Sequence, residues 1–381
     1  MRIGHAWPAR TRKDNDVNTN AIFVAMQCGI PVLLWGGPGV GKTSFTNSIA
    51  SYTKRFGVTV IASIREPSDF SGLPVILDSP NDTQLVRLAP PAWAHELIEH
   101  KGGILFLDEL STAPPTVQAA LLRVILERQV GEVKLPDDTW IIAAANPVDT
   151  SSGTWLLSAA LANRMLHIDW NVDVDAWIKG MIEGFGIFHN LTTLPDDWRD
   201  GIPAARNLVA SFIRHKPTML YNRPEDIVHS GRAWPSPRTW DMASTVHAAC
   251  NAAKLSKDDE LGLLSATVGE GAAIEYHTWW RSLDLVEPSE ALAHPDTVKF
   301  PKRSDQVFAM LVSIVTYAKP RMNENIWDAS WVIMGRAAVL GHADLAALPA
   351  RMLAETRTEK LKIPVNVKEF IPILLAAGLL K

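Results

Sequence analysis

Val32-Leu33-Leu34-Trp35-Gly36-Gly37-Pro38-Gly39-Val40-Gly41-Lys42-Thr43-Ser44 is an apolar tetrapeptide that runs straight into the pattern G-x-x-x-x-G-K-[ST]. Phosphate groups need a ring of backbone N–H donors, and bulky side chains would block their approach. Glycines let a loop curl around the anion, and a helix opening directly behind the loop points its positive end at it. Residues 44–53 are compatible with such a helix. The spacing therefore makes Gly36, Gly37, Pro38, Gly39, Val40, Gly41, Lys42, Thr43 and Ser44 a nucleotide-phosphate cradle. Lys42 reaches the β- and γ-phosphates in that arrangement, and the Thr43 hydroxyl can ligate Mg²⁺.

Further along, Ile104-Leu105-Phe106-Leu107 ends in Asp108-Glu109. Two successive acids at the C-terminal end of a buried strand can serve different parts of one site. Asp108 is expected to hold the Mg²⁺ hydration shell and Glu109 to polarise an attacking water. A third apolar run, Trp140–Ala145, delivers Asn146, a neutral amide able to orient that water; a turn-forming Asn-Pro pair is the plainer account. Arg164, in Leu161-Ala162-Asn163-Arg164-Met165, suits either an ion pair within the chain or a finger inserted into a neighbouring subunit's γ-phosphate. Arg238, behind Ser236-Pro237, suits a nucleotide sensor or a surface arginine at a helix start.

The segments between these residues alternate in kind. A helix is expected over 18–29, a buried parallel strand over 58–64, an irregular insertion or hairpin over 65–91 and a short helix over 92–100. Strand 104–107, helix 116–128, a hairpin over 130–135, and strands 140–145 and 165–170 follow. Alternation of this sort argues for a three-layer α/β fold around a parallel sheet. Beyond Val172 the chain turns mainly helical, with helices expected over 261–283, 306–319, 327–340 and 367–380 and a proline-rich linker over 284–304.

Composition bounds the class. The chain has 381 residues, 47% of them hydrophobic and 20% charged, with a net charge of −4, which describes a globular protein of more than one domain. Nothing in that balance favours nucleic acid or an anionic membrane as a partner. Arg10-Thr11-Arg12-Lys13 reads as a solvated arm, and Cys28 and Cys250 as core residues. There is no apolar leader, and the run 370–380 is short and broken by Pro372, so the cytoplasm is the expected compartment and the sequons at Asn81 and Asn190 carry little meaning. His95 and His100, five residues apart, lie about 140° apart on a helix and cannot share one metal. Trp279-Trp280 is expected to fill a core rather than a partner surface.

In order, Lys42, Asp108-Glu109, Asn146, Arg164 and Arg238 resemble the Walker A, Walker B, sensor 1, arginine finger and sensor 2 elements of the AAA+ ATPases. Residues 108–122, Glu127-Arg128-Gln129-Val130 and Ser236-Pro237-Arg238 are similar to the MoxR branch, and Arg65–Gly72 resembles the lead into that branch's helix-2 insert. The resemblance covers about residues 18–245. It implies an α/β nucleotide-binding core at 1–170, a helical lid at 171–255 and a helical C-terminal extension at 256–381. It also implies ATP and Mg²⁺, catalytic roles for Glu109, Asn146, Arg164 and Arg238, a ring that is usually hexameric, and remodelling of a protein client with a von Willebrand factor A domain partner. Segments 70–90 and 129–137 are expected to face a pore or the client. Residues beyond 280 exceed the compact family pattern. The rival expectations are a nucleic-acid-directed motor of the same superfamily and a nucleotide-gated scaffold with little turnover.

Overall fold

The computed structural model describes residues 18–78, 84–147, 155–183, 188, 191–358, 361–362 and 365–376; the basic arm at 10–13 and the sequon asparagines Asn81 and Asn190 lie outside these. In chain order the elements are α1 (Thr19–Gln27), β1 (Val32–Trp35), α2 (Lys42–Thr53), β2 (Gly57–Ile61), α3 (Ser68–Ser71), β3 (Leu73–Asp78), β4 (Gln84–Ala89), α4 (Ala92–Glu99) and β5 (Gly103–Asp108). Then come α5 (Pro115–Glu127), β6 (Gln129–Val130), β7 (Val133–Lys134), β8 (Thr139–Ala145), α6 (Ala159–Ala162), β9 (Leu166–Asp169) and α7 (Val174–Glu183). The remainder is helical: α8 (Ile202–His215), α9 (Ile227–Ser230), α10 (Pro237–Ala252), α11 (Lys257–Val268), α12 (Glu270–Arg281), α13 (Pro288–Ala293), α14 (Ser304–Ala318), α15 (Glu324–Ala337), α16 (Ala343–Ala354) and α17 (Ile371–Ala376).

Five strands form one parallel sheet in the order β2-β5-β8-β1-β9. The three central strands are apolar on both faces because both faces are covered. On one side Leu33, Leu105, Leu107, Ile141 and Ala143 pack against Trp93 and Leu97 of α4 and Val117, Leu121 and Val124 of α5. On the other, Leu34, Phe106, Ile142 and Ala144 pack against Ile22 of α1, Phe45 of α2, Val246 of α10 and Leu263 of α11. Each fully buried Leu or Phe in these layers contributes about 1.5–3 kcal/mol. The result is a three-layer α/β fold around a parallel sheet, followed by helices.

Packing divides the chain into two units, Met1–Arg199 with Leu220–Ile274, and Asp200–Met219 with Glu275–Lys381. The first unit contains the sheet, α10 and α11. The second has its own core of Phe308, Met310, Trp327, Trp331 and Phe370.

Four local readings need correction. The strand expected at 58–64 stops at Ile61 and is only partly buried: β2 is an edge strand whose Val60 is enclosed, while Ile61 and, beyond the strand, Ile64 are 39% and 74% exposed. The single helix expected over 261–283 is two, because Gly269 adopts φ 81°, and a Cβ there would stand 2.8 Å from the Ala233 carbonyl oxygen. The proline-rich linker at 284–304 is packed: it contains α13, and Ala291 and Val298 are buried in the second core. The helix expected over 367–380 is a 3₁₀ stretch, Val365–Phe370, followed by α17; residues 377–380 lie outside the described ones.

Trp279 is buried and its indole donates to Asp305 Oδ2 at 2.7 Å, a core role. His95 pairs with Glu99 and His100 stacks on Phe56, so the two histidines have different neighbours. Among the described residues one stretch, Glu324–Ala354, is long and apolar enough to cross a membrane. It bends at Gly341, and its Trp327, Trp331, Met334 and Ala346 belong to the second core.

Candidate functional site

β1 lies between β8 and β9, and the loop behind it is tied to the ends of both. Gly36 N donates to Ala145 O at 3.0 Å, Trp170 N to Trp35 O at 2.6 Å, and the Trp170 indole to Val40 O at 3.1 Å. Gly36 is obligatory, since a Cβ there would sit 2.5 Å from Trp170 O. A loop so pinned keeps its shape before any ligand arrives, which is what a backbone anion cradle requires.

Lys42 opens α2 and is 8% exposed. Its Nζ donates to Gly36 O at 2.6 Å, Gly37 O at 2.9 Å and Asn146 Oδ1 at 3.1 Å. Burial lowers its pKa, and the carboxylates of Asp108 and Glu109 oppose that shift. Thr43 Oγ1 donates to Asp108 Oδ2 at 2.9 Å, bridging the start of α2 and the end of β5. The residues at the ends of β1, β5 and β8 therefore form one cluster: an ammonium, a hydroxyl, two carboxylates and an amide.

Glu109 has a left-handed backbone, φ 58°, which is uncommon for a side-chain-bearing residue. Its N–H donates to Asp108 Oδ1 at 2.9 Å, and its carboxylate accepts a hydrogen bond from the Ser63 hydroxyl. Strain of this kind re-aims the second carboxylate away from the first. Ser63 escaped the sequence reading. No sequence signal marks it: only the register of β2 against β5, with Ile61 opposite Asp108, sets the residues just past Ile61 beside Glu109.

Ser111 was missed as well. It is 1% exposed; its Oγ accepts from Asn146 N at 2.9 Å and donates to Asn146 O at 3.1 Å. One hydroxyl thus satisfies both backbone groups of Asn146 and fixes where its amide points.

Arg164 and Arg238 form a second group. Arg164 follows α6; its guanidinium turns back to donate to Ala160 O, while its Nε is buried without a partner. Burial, and then the charge of Arg238, lower its pKa. Arg238 is exposed in the first turn of α10, whose start is fixed by Pro237 and by the reciprocal Ser236–Thr239 cap. Among the described residues no carboxylate forms an ion pair with either arginine; Arg232 close by is paired with Asp169 at 2.8 Å and lies over the Trp35 ring.

His167 is enclosed behind this group. The Trp35 indole donates to its Nδ1 at 2.9 Å, and its Nε2 stands 2.9 Å from Ala162 O, so Nε2 carries the proton. Burial holds its pKa at about 4, so it stays neutral.

Residues 31–165 match the family described as AAA domain (dynein-related subfamily). Among solved structures, a candidate ATPase from Cytophaga hutchinsonii is similar at 17% identity over 66% of this chain and 80% of that one, with a TM-score of 0.45. NtrX from Brucella abortus is similar at 16% identity over 87% of this chain and 66% of that one, with a TM-score of 0.26. Its complex with ADP gives 17% identity, the same coverages and a TM-score of 0.27. The matched residues carry Lys42, Thr43, Asp108, Glu109, Asn146 and Arg164.

Proposed function

We propose that this AAA+ ATPase hydrolyses ATP at the cluster formed by Lys42, Thr43, Asp108, Glu109 and Asn146. The observation that carries the reading is the 3.1 Å bond between Lys42 Nζ and Asn146 Oδ1, with both carboxylates near enough to act on the ammonium. Lys42 then neutralises the β- and γ-phosphates, and Asn146 and Glu109 hold a water at the γ-phosphorus, with Glu109 taking its proton. The Glu109 carboxylate has to turn from Ser63 to meet that water. Thr43 Oγ1 and Asp108 Oδ2, 2.9 Å apart, are hard oxygen ligands of the type a Mg²⁺ ion takes. When bound there, the ion offsets charge on the phosphate oxygens.

The absence of a carboxylate partner for Arg164 among the described residues favours the finger over the ion pair within the chain. An arginine acting in trans requires a ring, and the MoxR resemblance supports a hexamer with a von Willebrand factor A domain partner and a protein client. The β3–β4 hairpin supports a client-facing role. It projects Leu73, Ile76, Leu85 and Val86 into solvent, each more than half exposed. Apolar side chains grouped this way mark a contact surface.

Mixing variants tests the trans arrangement. Arg164→Ala and Lys42→Ala proteins are each expected to be nearly inactive. Together they should recover part of the rate, because an intact cradle then sits beside an intact finger. Mass photometry with and without ATP·Mg²⁺ reads the assembly directly. Absence of rescue in a mixed ring would return Arg164 to a role within its own subunit.

A further inference from the structure

Asn163 lies between the two arginine-bearing segments and is 5% exposed. Its Oδ1 accepts the Ser236 hydroxyl at 2.9 Å and stands 3.5 Å from Arg238 Nη1. A guanidinium can only donate, so the oxygen of this amide belongs on that side. The Nδ2 atom is then buried and finds no acceptor. A buried amide left unpaired is costly, and such a cost persists where position matters more than stability.

The partner of that oxygen is no ordinary hydroxyl. Ser236 is the N-cap of α10, accepting from Thr239 N at 3.2 Å. Asn163 is thus bonded to the atom that starts the helix carrying Arg238, and it is the residue directly before Arg164. Arg238 Nη1 stands 3.5 Å from the side chain that directly precedes Arg164, with Arg164 Nε unpartnered and no carboxylate paired with either arginine among the described residues. Like charges repel, so the surrounding structure has to hold this arrangement.

We propose that Asn163 is a positioning residue that locks the Arg164 segment to the first turn of α10, so that Arg164 and Arg238 respond to nucleotide phosphate as one unit rather than as two independent side chains. Asn163 touches no phosphate itself; it transmits the position of α10 to the Arg164 loop. The inference rests on the ATPase reading above.

The test compares Asn163→Ala, Arg238→Ala and the double variant in the full chain. ATP turnover is measured beside the affinities for ATP and ADP, the latter two by competition with a fluorescent ADP analogue. Asn163→Ala is expected to lower kcat about ten-fold or more while KM for ATP moves less than about three-fold, and the double variant should be no slower than the slower single one. Asn163→Asp keeps the shape and adds a carboxylate that pairs with the arginines; it should fold at least as stably and be equally slow. A normal kcat in Asn163→Ala, or effects of Asn163→Ala and Arg238→Ala that simply multiply, would overturn the proposal. If wild type turned over no ATP, the ATPase reading would fall. The ATP-to-ADP affinity ratio would still decide this one: it should drop about five-fold in both single variants, and an unchanged ratio in Asn163→Ala would refute the coupling.

Discussion

Lys42 Nζ donates to Asn146 Oδ1 at 3.1 Å, joining the loop behind β1 to the end of β8. The ammonium that meets phosphate and the amide that orients water are therefore set by one contact. Lys42 Nζ also donates to the carbonyls of Gly36 and Gly37. Phosphate oxygens have to replace these neutral acceptors.

Lys42→Ala removes the charge from a pinned loop and leaves two carbonyls and an amide short of a donor. Nucleotide affinity should fall roughly 10- to 100-fold, the worth of one or two charge-assisted hydrogen bonds. Titration of a fluorescent ADP analogue checks this, and unimpaired binding would remove Lys42 from the phosphate site.

Ser111→Ala deletes the hydroxyl that serves both backbone groups of Asn146. Stability should drop by about 1–3 kcal/mol, the cost of leaving a buried group unpaired. Turnover should fall by more than nucleotide affinity, because Asn146 loses its aim and the cradle does not. Thermal unfolding beside kcat and KM separates the two effects; a variant that matched wild type in both would contradict the clamp.

His167 sets a pH dependence whose sign follows from its burial. In the folded chain it stays neutral down to about pH 4, whereas its ordinary value is 6.5. Between these values only the unfolded chain binds the proton, so stability is full above pH 6.5 and declines as pH falls toward 4. The shift corresponds to a loss of ~3 kcal/mol. His167→Gln retains a donor for Ala162 O and an acceptor for the Trp35 indole without titrating. Its unfolding temperature should vary less with pH over that range, and an equally steep decline would assign the effect to other groups.

The central sheet was legible in the sequence because its strands are buried on both faces and read as unbroken apolar runs: Val32–Trp35, Ile104–Leu107 and Trp140–Ala145 each lie within an observed strand. Lys42 and Thr43 close the glycine-rich loop behind the first run, and Asp108, Glu109 and Asn146 fall at the ends of the other two, which is why their proximity could be anticipated. Ser63 and Ser111 could not. Their roles depend on the register of β2 against β5 and on a hydroxyl turned toward a strand end, and neither leaves a periodic trace. Proline density misled at 284–304, since prolines end helices without preventing Ala291 and Val298 from packing. At Gly269 the error ran the other way: apolar spacing continues across it, and one left-handed backbone angle breaks the helix.

Glu109 is expected to activate water at an otherwise intact nucleotide site. ATP turnover of Glu109→Gln, measured at saturating ATP·Mg²⁺ beside its ATP affinity, tests it most directly. Affinity should stay within a few-fold of wild type and kcat should fall by about 10²- to 10⁴-fold, the usual worth of a general base. Near-normal turnover in that variant would contradict it.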